Sequence, residues 1–248
     1  DPNISASKKE MVTSEAAPTD REVIDTMLYI SDTTIRTDNL SLSFQKVDSL
    51  GILKLYPDSE ARQEILNSND NSFAAAKALE QYLSKKQGEH FRRSGEALIL
   101  NLSNGKSVTL KDNIQEGNEE ERYTYENYFP QLDAYLIRAQ WYEGNKYLLV
   151  NRSSGSKKYV IGQIYPSLSG TQLISINEDL EAGYSSNGIQ LLSKHGENFM
   201  IKFTIATGSW APIAVKWLDE NNLILKVSKS IDDNRTEYKP EYYKLSFR

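Results

Sequence analysis

The chain has 248 residues, 39% hydrophobic and 25% charged, enough to bury one large core or two smaller ones. A net charge of −5 and a pI near 5.3 exclude a nucleic-acid binder, which needs a concentrated basic face to displace counterions. Cysteine is absent and the two histidines, His90 and His195, lie far apart. That excludes disulfides, thiolate chemistry and a Cys/His metal cage, and no apolar run reaches the ~18 residues of a membrane-spanning helix.

Residues 1–20, DPNISASKKEMVTSEAAPTD, are polar, hold Pro2 and Pro18 and show no sustained period, which predicts a flexible tether. No signal peptide is present and the first residue is Asp1 rather than Met, as in a processed or trimmed chain. Residues 21–92 form a small mixed region. VIDTMLYI fits helix or strand, and LSLSFQKV alternates from Leu40 as a half-buried strand does.

Two helices follow, EARQEIL capped by Asp58 or Ser59, and FAAAKALEQYLSKKQ capped by Asn71 or Ser72. In the second, Phe73, Ala76, Leu79, Tyr82 and Leu83 share a face that must pack on something, and Gly88 is a plausible stop. The basic residues Lys85, Lys86, Arg92 and Arg93 at its end read as a solvated helix terminus.

Residues 93–248 change to strands and turns. Four strand–turn–strand units are predicted, LILNLSNGKSVTL, YLLVNRSSGSKKYVI, LISINEDLEAGYSSNGIQLL and LILKVSKSIDDNRTEYKPEYYKL. The first three turn around Gly105, Gly155 and Gly188, the fourth near Asn234. WYEGNKYLL (Trp141–Leu149) also matches WLDENNLIL (Trp217–Leu225), and SLSGTQLIS (Ser167–Ser175) aligns between them through Gly170. The steps average close to the ~40 residues of a propeller blade. SLSGTQLIS resembles the Ser-Pro-Asp-Gly-Lys-x-Ile turn of bacterial β-propeller repeats, over about Phe129 to Val227, with Leu168 and Ser169 in place of Pro-Asp. The resemblance implies a blade-like β-meander and carries no catalytic residue. The expected fold is therefore mainly β with a small N-terminal α/β region, an open or partial propeller-like meander, with a β-sandwich or barrel as alternatives. In that repeat Trp141 and Trp217 take equivalent, largely buried positions.

Three constellations invite chemistry. INEDLEAGYSSNG offers Asn177, Asp179 and Glu181 in the alternation of a calcium loop, but Ala182 and Gly188 stand where such a loop needs Gly and Glu. Asp179 and Glu181 remain the candidate metal ligands, and an acidic turn after a strand is the favoured interpretation. Glu126, Asp133, Glu143 and Asp179 could supply the carboxylate pair of a glycoside hydrolase, though the spacing selects no pair. No Gly-x-Ser-x-Gly elbow or phosphate loop occurs, and no cofactor is implied. The third is aromatic: 15 Tyr and three Trp, dense around YTYENYFP, make Tyr123, Tyr125, Tyr128 and Phe129 the candidate ligand-binding residues. Together these features predict a non-enzymatic, extracytoplasmic bacterial binding or interaction module with a glycan or protein partner. A carboxylate-dependent saccharide hydrolase and a structural protein pairing through an open sheet edge are the alternatives.

Overall fold

The computed structural model describes residues 23–25, 30–36, 40–48, 56–69, 71–114, 120–141, 144–180, 183–230 and 238–248. The tether, Glu143, Glu181 and the turn at Asn234 lie outside them. The fold is mainly β, as the alternating patterns predict.

Its strands form four sheets in chain order. The first is a meander of β4 (Phe91–Ser94), β5 (Ala97–Asn101) and β6 (Ser107–Lys111). The second is a meander of β7 (Arg122–Phe129), β8 (Ala134–Gln140), β9 (Asn145–Asn151) and β10 (Lys157–Val160). The third runs through β11 (Gln163–Pro166), β12 (Gln172–Asn177), β13 (Gly188–His195) and β14 (Asn198–Ala206), and β1 (Val23–Asp25) joins β14 in parallel. The fourth joins β15 (Trp210–Asp219), β16 (Asn222–Ser230) and β17 (Tyr238–Phe247) to β3 (Ser41–Lys46) and β2 (Thr33–Arg36). None of the four closes into a barrel among the described residues.

Consecutive sheets pack face to face, and the packing explains the composition of the strands. Leu98, Leu100 and Leu110 of the first sheet meet Tyr135, Ile137, Leu148 and Val150 of the second. The opposite face of the second sheet, Ala134, Leu136, Tyr147 and Leu149, meets Ile164, Leu173 and Leu192 of the third. The other face of the third, Ile174, Ile176, Phe203 and Ile205, meets Leu223, Leu225, Val227 and Leu245 of the fourth. The two middle sheets are thus covered on both sides, and strands covered on both sides read as continuous apolar runs. In β12 both Leu173 and Ile174 are fully buried, one on each face of the strand.

β4 runs across residues 92 and 93, and Leu42 and Phe44 of β3 pair with Phe247 and Leu245 of β17. An alternating strand with one apolar face needs a sheet to join, and the last strand of the chain supplies it. α1 (Ser59–Asn67) and α2 (Ser72–Gln87) pack beside the second sheet. Asn71 caps α2 as predicted, its side chain accepting from Ala74 N at 2.9 Å. Arg93, by contrast, is not part of a solvated helix end. Glu80 of α2 grips its guanidinium with both oxygens, at 2.8 and 2.7 Å, and Asp112 holds it from the other side.

Two turn glycines behave as predicted: Gly105 and Gly155 sit at φ 78° and 76°. Gly188 instead lies in the ladder, paired with Asn177 and Ala206, and a Cβ there would stand 2.0 Å from Ile205 O. Its small size serves close strand approach rather than a tight turn. The tryptophans differ from the expected burial of Trp141 and Trp217. Trp210 is the buried one at 1% exposure, edge-on to Phe44, while Trp141 and Trp217 are half-buried beside hairpin turns.

Candidate functional site

A groove of about 590 Å³ opens at one end of the sheets. Five chain segments meet there: Tyr56–Asp58 with Arg62 of α1, the end of α2 at Lys86 and Gln87, Asn127–Gln131, Tyr165–Leu168, and Val215–Trp217. Its walls are mainly aromatic rings and prolines, with Tyr56, Tyr128, Phe129, Tyr165 and Trp217 alongside Pro57, Pro130 and Pro166.

The aromatic walls are held from behind. The Trp217 indole Nε1 donates to Tyr165 O at 2.9 Å, tying β15 to β11, and its ring meets Phe247 edge-on at 5.9 Å. Tyr56 donates from its hydroxyl to Gln163 Oε1 at 2.9 Å, and Gln163 Nε2 donates onward to the Tyr147 hydroxyl. Burial, and then the charge of Glu126, pushes the Tyr56 phenol well above its ordinary range, so it stays protonated. Burial likewise raises Tyr165 to about 12. Tyr128 donates to Asp133 Oδ1 at 3.0 Å and lies against the His90 ring at 4.2 Å. Asp133 follows a short 3-10 turn at Pro130–Leu132 and takes the left-handed conformation, φ 47°, that Asp tolerates better than most residues.

The floor is polar but committed. Arg62, 5% exposed, stacks over Tyr56 at 4.1 Å, pairs with Asp58 at 2.7 Å, and donates to Glu126 O and Asn127 Oδ1. A bulge in β7 between Tyr125 and Asn127 makes Glu126 the extra residue, and its carboxylate meets Arg138 Nε at 2.5 Å. Burial raises the Asp58 carboxyl, but the hydrogen bond and charge of Arg62 more than reverse this and hold it below its ordinary value. Lys86 stands at the rim, 3.4 Å from Asp58 and hydrogen-bonded to the Tyr82 hydroxyl.

One lip of the groove projects an apolar side chain. Leu168 is 75% exposed at the tip of the β11–β12 turn. Glu220, in the β15–β16 turn, clasps that turn by accepting from Ser169 N at 2.9 Å and from the Thr171 hydroxyl at 3.1 Å. Leu168 is therefore presented on a braced turn.

The four aromatic candidates of YTYENYFP are divided by β7. Tyr128 and Phe129 reach the groove. Tyr125 is fully buried, stacked on Phe91 at 3.9 Å, and offers no surface to a ligand. Tyr123 points elsewhere, donating to Glu121 at 2.5 Å. The run spans the length of β7 and its bulge, so only its last two rings reach the end of the strand where the groove opens. Tyr56, Arg62, Tyr165 and Trp217 were not among the sequence candidates. The visible signal is Leu168, an apolar residue in a turn otherwise made of Ser167, Ser169, Gly170 and Thr171.

Asp179 forms a turn. Its carboxylate accepts from Gly183 N at 2.8 Å and Ser185 N at 2.5 Å, as in the acidic-turn interpretation. Its candidate partner Glu181 lies outside the described residues, among which no three His, Asp or Glu side chains gather to hold a metal. No described helix is long and apolar enough to cross a membrane. Comparison of the chain with protein-family models, with curated proteins and with solved structures finds no match.

Proposed function

We propose that the protein is a non-enzymatic binding module that holds an extended apolar segment of a partner protein in the groove. The observation that carries this is the preformed aromatic and proline-lined groove with Leu168 braced at its lip. Rigid aromatic grooves bind extended, proline-containing peptides at low ordering cost, and their volume suits a few side chains. Leu168 and the prolines favour an apolar side chain over a sugar ring at this place.

Hydrolysis has less support. A glycoside hydrolase needs one carboxyl kept protonated by its surroundings. Among the candidates Glu126 is paired with Arg138. Asp133, despite partial burial, is held below its ordinary value by hydrogen bonds from Ser153, Tyr128 and Arg152. Edge-to-edge assembly is also disfavoured at β7. Asp112 accepts from Tyr123 N, Glu80 from Tyr125 N, and Arg93 and Arg62 donate to Tyr123 O and Glu126 O, so side chains occupy that edge. The succession of meander sheets goes with the blade-repeat resemblance, and an extracytoplasmic setting with residues 1–20 as spacer completes the proposal.

The test is selection from a random dodecapeptide library against the parent protein and Leu168→Asp. Enrichment of apolar, proline-containing peptides by the parent, lost by at least about tenfold in a variant of unchanged melting temperature, is expected. No enrichment, or peptides that bind both proteins equally, would contradict it.

A further inference from the structure

A second cleft, of about 260 Å³, lies at the other end of β8, between the β8–β9 turn and the β12–β13 connection. Gln140 and Asn145 sit opposite each other in the β8–β9 register, and both line it. Gln140 is 4% exposed as a residue, and Asn145 Oδ1 is buried without a partner. A buried polar atom without a partner is rare and costly, and this one lines the cleft beside a second side-chain amide.

The rest of the lining narrows what would satisfy that atom. The charge of Arg138 is committed to Glu126, and both Asp179 oxygens are committed to turn amides. Among the described lining residues the one cation, Arg138, is therefore already committed. Trp141 and Tyr184, the latter 57% exposed, supply aromatic surface beside the amides. Gly144 allows the two loops to approach, since a Cβ there would stand 2.9 Å from Tyr184 O and 3.0 Å from the Trp141 ring. Ser185 completes the brace, its hydroxyl accepting from Asn145 N at 3.3 Å.

We propose that this cleft binds one unit of a neutral saccharide. Each amide offers one acceptor and two donors, and adjacent ring hydroxyls both donate and accept, while aromatic surface covers the apolar face of the ring. The site is separate from the peptide groove and does not depend on it.

The experiment titrates the ¹⁵N-labelled full chain with maltotetraose, cellotetraose, xylotetraose and chitotetraose, with tetra-alanine as an amide control. Saturable shifts of the Gln140 and Asn145 side-chain amide signals with at least one sugar are expected. Affinity falls at least about tenfold in Gln140→Leu and Asn145→Leu, as loss of a ligand hydrogen bond requires, and is kept in Leu168→Asp. The proposal is overturned if no sugar shifts those signals up to about 10 mM, a limit beyond which binding is negligible. It is equally overturned if tetra-alanine alone shifts them, or if both variants bind as the parent does. The side-chain signals of the parent decide the matter should either variant fail to fold.

Discussion

Burial works against the charged guanidinium of Arg138, but Glu126 beside it more than compensates and holds the group above its ordinary range. Removing one partner strands the other's charge between two sheets. Glu126→Gln or Arg138→Met is expected to cost about 3–5 kcal/mol in urea unfolding, and the double replacement Glu126→Leu with Arg138→Met considerably less. Trp210 and Trp217 separate on the same measurement. Trp210→Ala should cost about 3–5 kcal/mol as a fully buried site, and Trp217→Ala clearly less because its ring is half-buried. Glu241 supplies a pH signature. Burial raises its carboxyl, but hydrogen bonds from Tyr243, Lys46 and Lys239 outweigh this and lower it from 4.5 to about 2. A depressed carboxyl stabilises the fold above its unfolded value, and that contribution is lost as pH falls through the folded one. The melting temperature of the parent should exceed that of Glu241→Gln by a constant margin above about pH 5.5, narrowing toward pH 2.

Among the elements, β7 depends most on its surroundings, because one edge faces side chains rather than a strand. Glu80→Ala removes the partner of both Arg93 and Tyr125 N. A loss of about 3–5 kcal/mol is expected, with concentration-dependent association in size-exclusion chromatography as the edge is uncovered. Element by element, the sequence was legible where structure is local. The hairpins at Gly105 and Gly155 and the Asn71 cap follow from neighbours a few residues apart. It was not legible where partners are distant: Leu42 of β3 pairs with Phe247, and Tyr56 bonds Gln163. YTYENYFP pointed to the groove through Tyr128 and Phe129 only, since the strand turns Tyr125 into the core. Trp141 and Trp217 matched as repeats because both adjoin hairpin turns, and being next to a turn is what leaves them half-buried.

On the scale of the molecule, four sheets packed in chain order leave clefts at the two ends of β8, and the larger is the groove proposed to bind peptide. Its walls come from five segments that only the whole fold brings together, so a bound peptide must protect all of them at once. The direct measurement is hydrogen–deuterium exchange of the full chain with and without a saturating library-selected peptide. Slowed exchange confined to 56–62, 86–87, 127–131, 165–168 and 215–217, and absent in Leu168→Asp at the same peptide concentration, is the result expected. Protection along other surfaces, with these five segments unchanged, would contradict the groove as the binding site.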